Sequence, residues 1–535
     1  MSRPGHFTRT GARAPDALRF LGSGVLGRLR LVVLLLLASS ALSGRAGDQP
    51  QWGQRHSRNM VSAERGLPVD CDPKTRRNVR WVAELGTSTY STPVVARGRV
   101  LIGSNNSHPR DPRHRGDRAV LMCFDEPSGE LRWQLVSPKL PRDPYLDCPG
   151  VGLTSSPAVE GDRVYLINNR AEVMCLDLRG LANGNDGPYQ DESRHAAPLG
   201  DEPVELGPLD ADILWVTDLR REVDAYPHDS VNISVLLVGD QLYVSTPNGV
   251  DHTHRHRVSP HAPGLVVLDK HTGRLLAQGA AGLGARVFHS TFSSAAFGVV
   301  KERPLVFYGG GDGVVQAFEP LATAVALATA PTGLAALKTA WTFDCDPVAP
   351  KENISQYQGN RHTSPSSIVG MPVFHDDRIY VAAGGDPWHG KRQCWLKCID
   401  ATRTGDVTHA AALWSYPLER HCISTPSVTD GLVFIADMGR MLHCVDARTG
   451  QAVWTHELDG EVWGSTLVAD GKLYVGTHRG TLWVLAAGRD KRVLGSVDLG
   501  DPIHTTPVAA NGVLYVATMS QLYAVAVPVS PDTAR

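Results

Sequence analysis

The most chemically loaded stretch of the chain is Asp251-His-Thr-His-Arg-His-Arg257, followed closely by His261. On an extended segment alternate residues lie on one side, so His252, His254 and His256 would share a side next to Asp251. Imidazoles with a carboxylate suit a borderline divalent ion. Asp251, His252, His254 and His256 are therefore the candidate metal ligands. Arg255 and Arg257 argue the other way, because they place positive charge in the same segment, and a polar histidine-rich loop is often simply solvated.

Such a loop needs a frame, and the frame is legible in Ser424 to Trp454. Ser424-Thr-Pro426, Gly431-Leu-Val-Phe-Ile435, Gly439 to Asp446 and Ala447 to Trp454 read as a four-stranded antiparallel unit, with short β-prone runs punctuated by Gly, Asp and Thr turn residues. Degenerate copies recur. Asp125 precedes Gly129 and Trp133 at the offsets by which Asp446 precedes Gly450 and Trp454; Asp269 and Gly273 repeat the first step, with Ala277 in the tryptophan place. An all-strand unit of about forty residues marks a propeller blade. The aspartate caps the turn after the third strand, the glycine supplies a positive backbone angle, and the tryptophan fills the wedge between blades.

Counting first strands and aspartate turns predicts an all-β, eight-bladed β-propeller over residues 78–526. Blades six to eight are close to minimal, whereas blades one to five carry insertions at Asn105 to Arg118, Leu181 to Asp210 and Asp251 to Pro263, expected to share one face of the ring. The last copy has three strands, ending in Gln521-Leu-Tyr-Ala-Val525, while Asn78-Val-Arg-Trp81-Val-Ala has the form of a fourth strand with no blade before it. Pairing the two closes the ring and leaves no open edge. Residues 47–77 form an extended lead-in with turn chemistry and no periodicity, and 527–535 a short tail.

Residues 1–46 have the form of a signal peptide: six arginines before residue 31, then an apolar run from Leu31 too short to span a bilayer, ending in small residues. The chain is therefore expected to be exported, to the periplasm or beyond; an uncleaved N-terminal anchor is the alternative and the one expected membrane contact. Net charge is −2 and basic residues are interspersed with acidic ones, so no nucleic-acid-binding stripe is present. A monomer is expected. Gly309-Gly-Gly-Asp-Gly313 is a hairpin turn rather than a phosphate cradle, because no helix follows it.

Ala447-Arg-Thr-Gly-Gln-Ala-Val-Trp454, with Asp446 ahead of it, resembles the tryptophan docking motif of quinoprotein-type propellers. Thr246 to His252, Gly309 to Gly313, Gly405 to Thr408 and Ser424 to Pro426 resemble blocks of secreted PQQ-like repeat proteins abundant in planctomycete-type bacteria, and Gln51-Trp-Gly-Gln-Arg55 resembles their lead-in. The resemblance implies the fold, shared by quinoprotein alcohol and sugar dehydrogenases and by the non-enzymatic outer-membrane assembly scaffold. The dehydrogenase branch would imply the quinone cofactor PQQ, a calcium ion on Glu, Asn and Asp, and two adjacent cysteines forming a disulfide. No two cysteines here are adjacent. Cys123, Cys175, Cys398 and Cys444 each stand two residues before a third-strand aspartate, a repeated small apolar position. The other five cysteines are odd in number, so one at least stays unpaired among them or pairs elsewhere.

A second candidate locus is the set of histidines at first-strand starts, His289, His362, His421 and His504, which a propeller could turn toward its channel; turn capping is their plainer role. The functional expectation is a binding or scaffolding propeller with a protein or cell-envelope partner, no catalytic residues and no resident cofactor. PQQ-dependent dehydrogenation and binding of a carbohydrate or cell-wall polymer are the alternatives.

Overall fold

A computed structural model describes residues 47–141, 143–322 and 334–528 of the chain. The stretch expected to be a signal peptide, 1–46, falls outside the described residues, as does the tail from 529. No helix of the described residues is long and apolar enough to cross a membrane.

Among the described residues eight sheets follow one another along the chain, each built on strands in sequence order, with Val61–Ser62, Val79–Glu84, Ala335–Ala336 and Gly405–Asp406 lent to a sheet from elsewhere in the chain. Blade six shows the unit: Ser427–Thr429, Leu432–Ala436, Met441–Asp446 and Ala452–Glu457, antiparallel throughout. The inner strands Leu432–Ala436 and Met441–Asp446 read as apolar runs because neighbouring blades cover both their faces. The ring closes as the pattern predicts, Val79–Glu84 lying antiparallel to Gln521–Val525 with Trp81 opposite Ala524. Blades three and four each gain a parallel two-residue outer strand, Ala335–Ala336 and Gly405–Asp406.

The Asp–Gly–Trp element is interblade mortar. Tryptophan indole N–H groups donate to a carbonyl at the turn of the next blade: Trp81 to Glu126 at 2.9 Å, Trp133 to Leu178 at 2.8 Å, Trp414 to Ala447 at 3.0 Å and Trp454 to Gly488 at 2.9 Å. The aspartate carboxylates accept from the turn amides, as Asp446 Oδ1 does from Thr449 N at 2.9 Å. Cys123, Cys175, Cys398 and Cys444 lie directly across from Trp133, Trp215, Trp414 and Trp454. All nine cysteines are thiols, eight of them buried.

Around the axis, hydroxyls at the first-strand starts stitch each blade to the next. Thr92 N donates to Ser156 Oγ (2.9 Å), Ser234 Oγ to Ser156 O (2.9 Å), Ser234 N to Ser294 Oγ (2.8 Å) and Ser293 Oγ to Gly370 O (2.9 Å). Met371 N then donates to Thr425 Oγ1 (3.0 Å), Thr425 N to Ser465 Oγ (2.9 Å), Ser465 N to Thr506 Oγ1 (3.1 Å) and Thr506 N to Thr92 Oγ1 (3.3 Å), completing the circuit.

The lead-in is structural in a way its turn-rich sequence does not announce. It winds once around the inner strands, meeting the blades in order: Val95 N donates to Gln49 O, Val159 N to Pro50 O, Phe297 N to His56 O, Phe374 N to Ser57 O and Val468 N to Met60 O. Asn59 exchanges two 2.8 Å bonds with Val428, and Glu64 accepts from Asn511 N and Gly512 N. Blade three is reached by Arg58, fully buried, whose guanidinium donates to the carbonyls of Ser234, Val235, Ala295 and Trp52. Burial without a carboxylate partner pulls its pKa down to about 9.

Strand alternation decides which face each connection joins. Links from second to third strand, and from a fourth strand to the next blade, emerge on one face, called the mouth below. The insertions at 105–118 and 251–263 join it. The 181–210 insertion links Glu172–Asp177 to Ile213–Asp218, a third strand to a fourth, and therefore starts and ends on the opposite face. The expectation of one shared face thus fails for that insertion, for reasons of strand parity.

Candidate functional site at the propeller mouth

Four imidazoles meet at the mouth, delivered by connections of blades three, four and five. His228 lies in the link into blade three, His254 in the 251–263 insertion, His289 just before Ala296–Val300, and His389 in the link from Arg378–Gly385 to Cys394–Asp400. The backbone ties the segment that leads into the His254 turn to His289: Gly249 bridges Ser290, Val250 N donates to His289 O at 3.1 Å and Thr291 N to Asn248 O at 2.9 Å. A Cβ on Gly249 would fall 2.3 Å from His228 Cβ, so the strand can approach only as glycine.

His254 arrives by a turn. Asp251 accepts from the Arg255 and His256 amides and from the Thr253 hydroxyl, Asp251 N donates to His256 O at 2.9 Å, and His254 takes φ 58°. The segment is therefore curled rather than extended, and alternation does not align its histidines. Asp251 is spent on the turn; His252 and His256 are exposed; His254 alone of the four reaches the cluster. Ser355 anchors the loop from the blade-five side, donating to Arg255 O and accepting from Arg257 Nη1, both at 2.8 Å.

His228 Nε2 lies 3.1 Å from His254 Nε2, and the ligand atoms of His228, His254 and His289 fall within 4.8 Å of one another. His228 Nδ1 donates to Val250 O at 2.7 Å, and His289 Nδ1 to Asp386 Oδ2 at 3.0 Å. Asp229 stands beside both, its carboxylate 3.5 Å from His228 Nε2 and 3.3 Å from His289 Nε2. The latter approach lacks hydrogen-bond geometry, leaving His289 Nε2 buried and unpartnered. Asp386 is itself held by the amides of Trp388 and His389.

The electrostatics are split. Burial pushes His228 down to about 4, against the pull of Asp229, and burial likewise brings His389 to about 4 and lowers His254. His289 goes the other way: burial would lower it, but Asp386 and Asp229 carry it up to about 9. One imidazolium between two carboxylates, ringed by neutral imidazoles, leaves a net negative pocket.

Aromatic rings extend the mouth around the axis. Tyr145 stacks on His228, Trp388 meets His289 edge-on at 5.5 Å and Trp463 at 6.3 Å, and Trp463 stacks on His504 at 4.8 Å, itself stacked on Tyr90. Of the four first-strand histidines, His289 and His504 face this mouth, His421 is tied to Lys391 O at 2.8 Å, and His362 is exposed. A second cleft, about 1140 Å³ beside blade two, is lined by Arg170, Glu172, His195, Asp218, Arg220 and Arg221 among others. Its charges pair internally, Arg170 with Glu172 at 3.0 Å and Arg220 with Asp218 at 3.4 Å.

Sequence reasoning missed His228, Asp229, Asp386 and His389, which belong to no motif. The available signal was parity: all lie in connections that alternation sends to the face of His289.

With this geometry in view, the relatives fall into place. The family model described as outer membrane protein assembly factor BamB matches residues 57–186, 395–493 and 442–527. Quinohemoprotein alcohol dehydrogenase from Comamonas testosteroni is 31% identical over 110 residues, 18% of this chain and 15% of that protein, so the match spans far less than two thirds of that relative. Among solved structures, BamB from Moraxella catarrhalis superposes at TM-score 0.50 with 13% identity, covering 84% of this chain and 97% of that one. A europium-containing methanol dehydrogenase superposes at 0.55 with 12% identity, covering 90% of each. The protein is an eight-bladed β-propeller, and the matches place its similarity among the PQQ-like repeat propellers. It is similar both to BamB and, over part of its length, to a quinohemoprotein alcohol dehydrogenase.

Proposed function

We propose that this chain is an exported, non-catalytic binding or scaffolding propeller whose recognition face is the mouth. The observation that carries the reading is the asymmetry of its connections. Blades three, four and five send long links to the mouth, whereas blades six to eight turn with short ones, and the lead-in fills the inner ring beneath. Rigid rings with loops gathered on one face suit recognition.

The dehydrogenase alternative asks for a quinone held with calcium or a lanthanide, and the residues present do not fit that pair. Hard cations of this kind take six or more oxygen ligands, whereas the donors converging here are chiefly imidazole nitrogens, His228, His254, His289 and His389, with two carboxylates. The nine thiols include no adjacent pair to close over a quinone ring.

The test uses the full chain incubated with PQQ and calcium or a lanthanide, then freed of unbound cofactor. Neither quinone absorbance nor alcohol- or sugar-dependent reduction of an artificial electron acceptor is expected. Retained quinone with substrate-dependent dye reduction overturns the reading. A carbohydrate or cell-wall polymer as the ligand is favoured over a protein by one feature, the part-exposed rings of Trp388 (37%) and Tyr145 (39%) at the mouth, which offer flat faces for sugar stacking. A glycan array separates the two.

A further inference from the structure

The geometry points to a binding site for one divalent first-row transition ion of the zinc type, held by the Nε2 atoms of His228, His254 and His289 with the carboxylate of Asp229. It stands apart from the identity of whatever the mouth recognises.

Two ring nitrogens 3.1 Å apart, His228 Nε2 and His254 Nε2, must share either one proton or one cation. The outer nitrogens decide where the lone pairs lie. Because His228 Nδ1–H is committed to Val250 O and His289 Nδ1–H to Asp386 Oδ2, both rings turn Nε2 inward, that of His228 as an acceptor and that of His289 as one once the arriving ion displaces its Nε2 proton. Carboxylate and carbonyl supports of this kind orient metal-bound histidines. The independent sign is His289 Nε2, on a side chain only 2% exposed, aimed into the cluster with no hydrogen-bond partner. A buried polar atom left so carries a cost that a ligand would remove.

Donor chemistry selects the ion. Three imidazoles and one carboxylate suit zinc, copper, cobalt or nickel, and do not suit magnesium or calcium, which prefer oxygen. His389, whose ring centroid lies 4.3 Å from that of His254 and 4.6 Å from that of His289, closes the far side as a fifth donor or a screen against bulk water.

Metal-stripped full chain is titrated with zinc by calorimetry and, in parallel, with cobalt, whose visible d–d bands report nitrogen coordination in a tetrahedral field. One saturable equivalent is expected, with intense cobalt bands. His289→Ala should weaken zinc binding at least 100-fold. His254→Ala, at a half-buried loop position whose loss leaves the blades intact, should weaken it at least tenfold and flatten the cobalt bands, which keeps the test decisive if His289→Ala fails to fold. His252→Ala with His256→Ala should change neither. No saturable zinc binding, or affinity unmoved by His254→Ala, overturns the site; so does loss of binding in the His252→Ala, His256→Ala pair.

Discussion

Gly129 shows how single residues set the blade spacing. It sits at φ 73°, where a side chain is strained, and a Cβ there would fall 2.6 Å from Trp81 Cδ2, the indole that closes the ring. Gly450 stands in the same relation to Trp414. The glycine therefore serves two needs, the hairpin angle and a flat seat for the neighbour's tryptophan. Gly129→Ala is expected to destabilise by about 1–3 kcal/mol through strain and overpacking, read as a lowered midpoint in thermal melting. An unshifted midpoint would mean that the Trp81 seat is slack.

At the scale of elements, two N-terminal segments do different jobs. Val79–Glu84 completes the eighth blade, and the winding stretch from 47 to 64 caps the inner strands. Deleting 47–84 unpairs Gln521–Val525 and exposes a strand edge, so aggregation or a loss of cooperative melting is expected. Deleting only 47–64 should keep cooperativity and lower the midpoint, because the outer pairing survives while Arg58 is lost and the carbonyls of Ser234, Val235 and Ala295 are left without it. Unchanged melting of the longer deletion would contradict the closure. That closure, the blade count and the Asp–Gly–Trp turn were legible in sequence because each repeats a local pattern whose physics is local. The winding lead-in was not, since its bonds run from a turn-rich segment to all eight blades, far apart in the chain. The candidate site was half legible: His254 and His289 stood out as residue types, but His228, Asp229, Asp386 and His389 meet them only through the ring.

Taken whole, the molecule is a rigid ring tied at the axis by a circuit of hydroxyl bonds, filled from one side by its own N-terminal segment and open at a histidine and aromatic mouth. Rigidity matters there, because connections of three blades must hold their imidazoles to within a fraction of an ångström for one ion to reach them all. The most direct measurement is anomalous diffraction at the zinc edge from crystals of the full chain grown with zinc. The account predicts one strong peak at the mouth, about 2 Å from Nε2 of each of His228, His254 and His289. Empty density among those three nitrogens, with zinc found only on exposed residues such as His252 or His256, would contradict it.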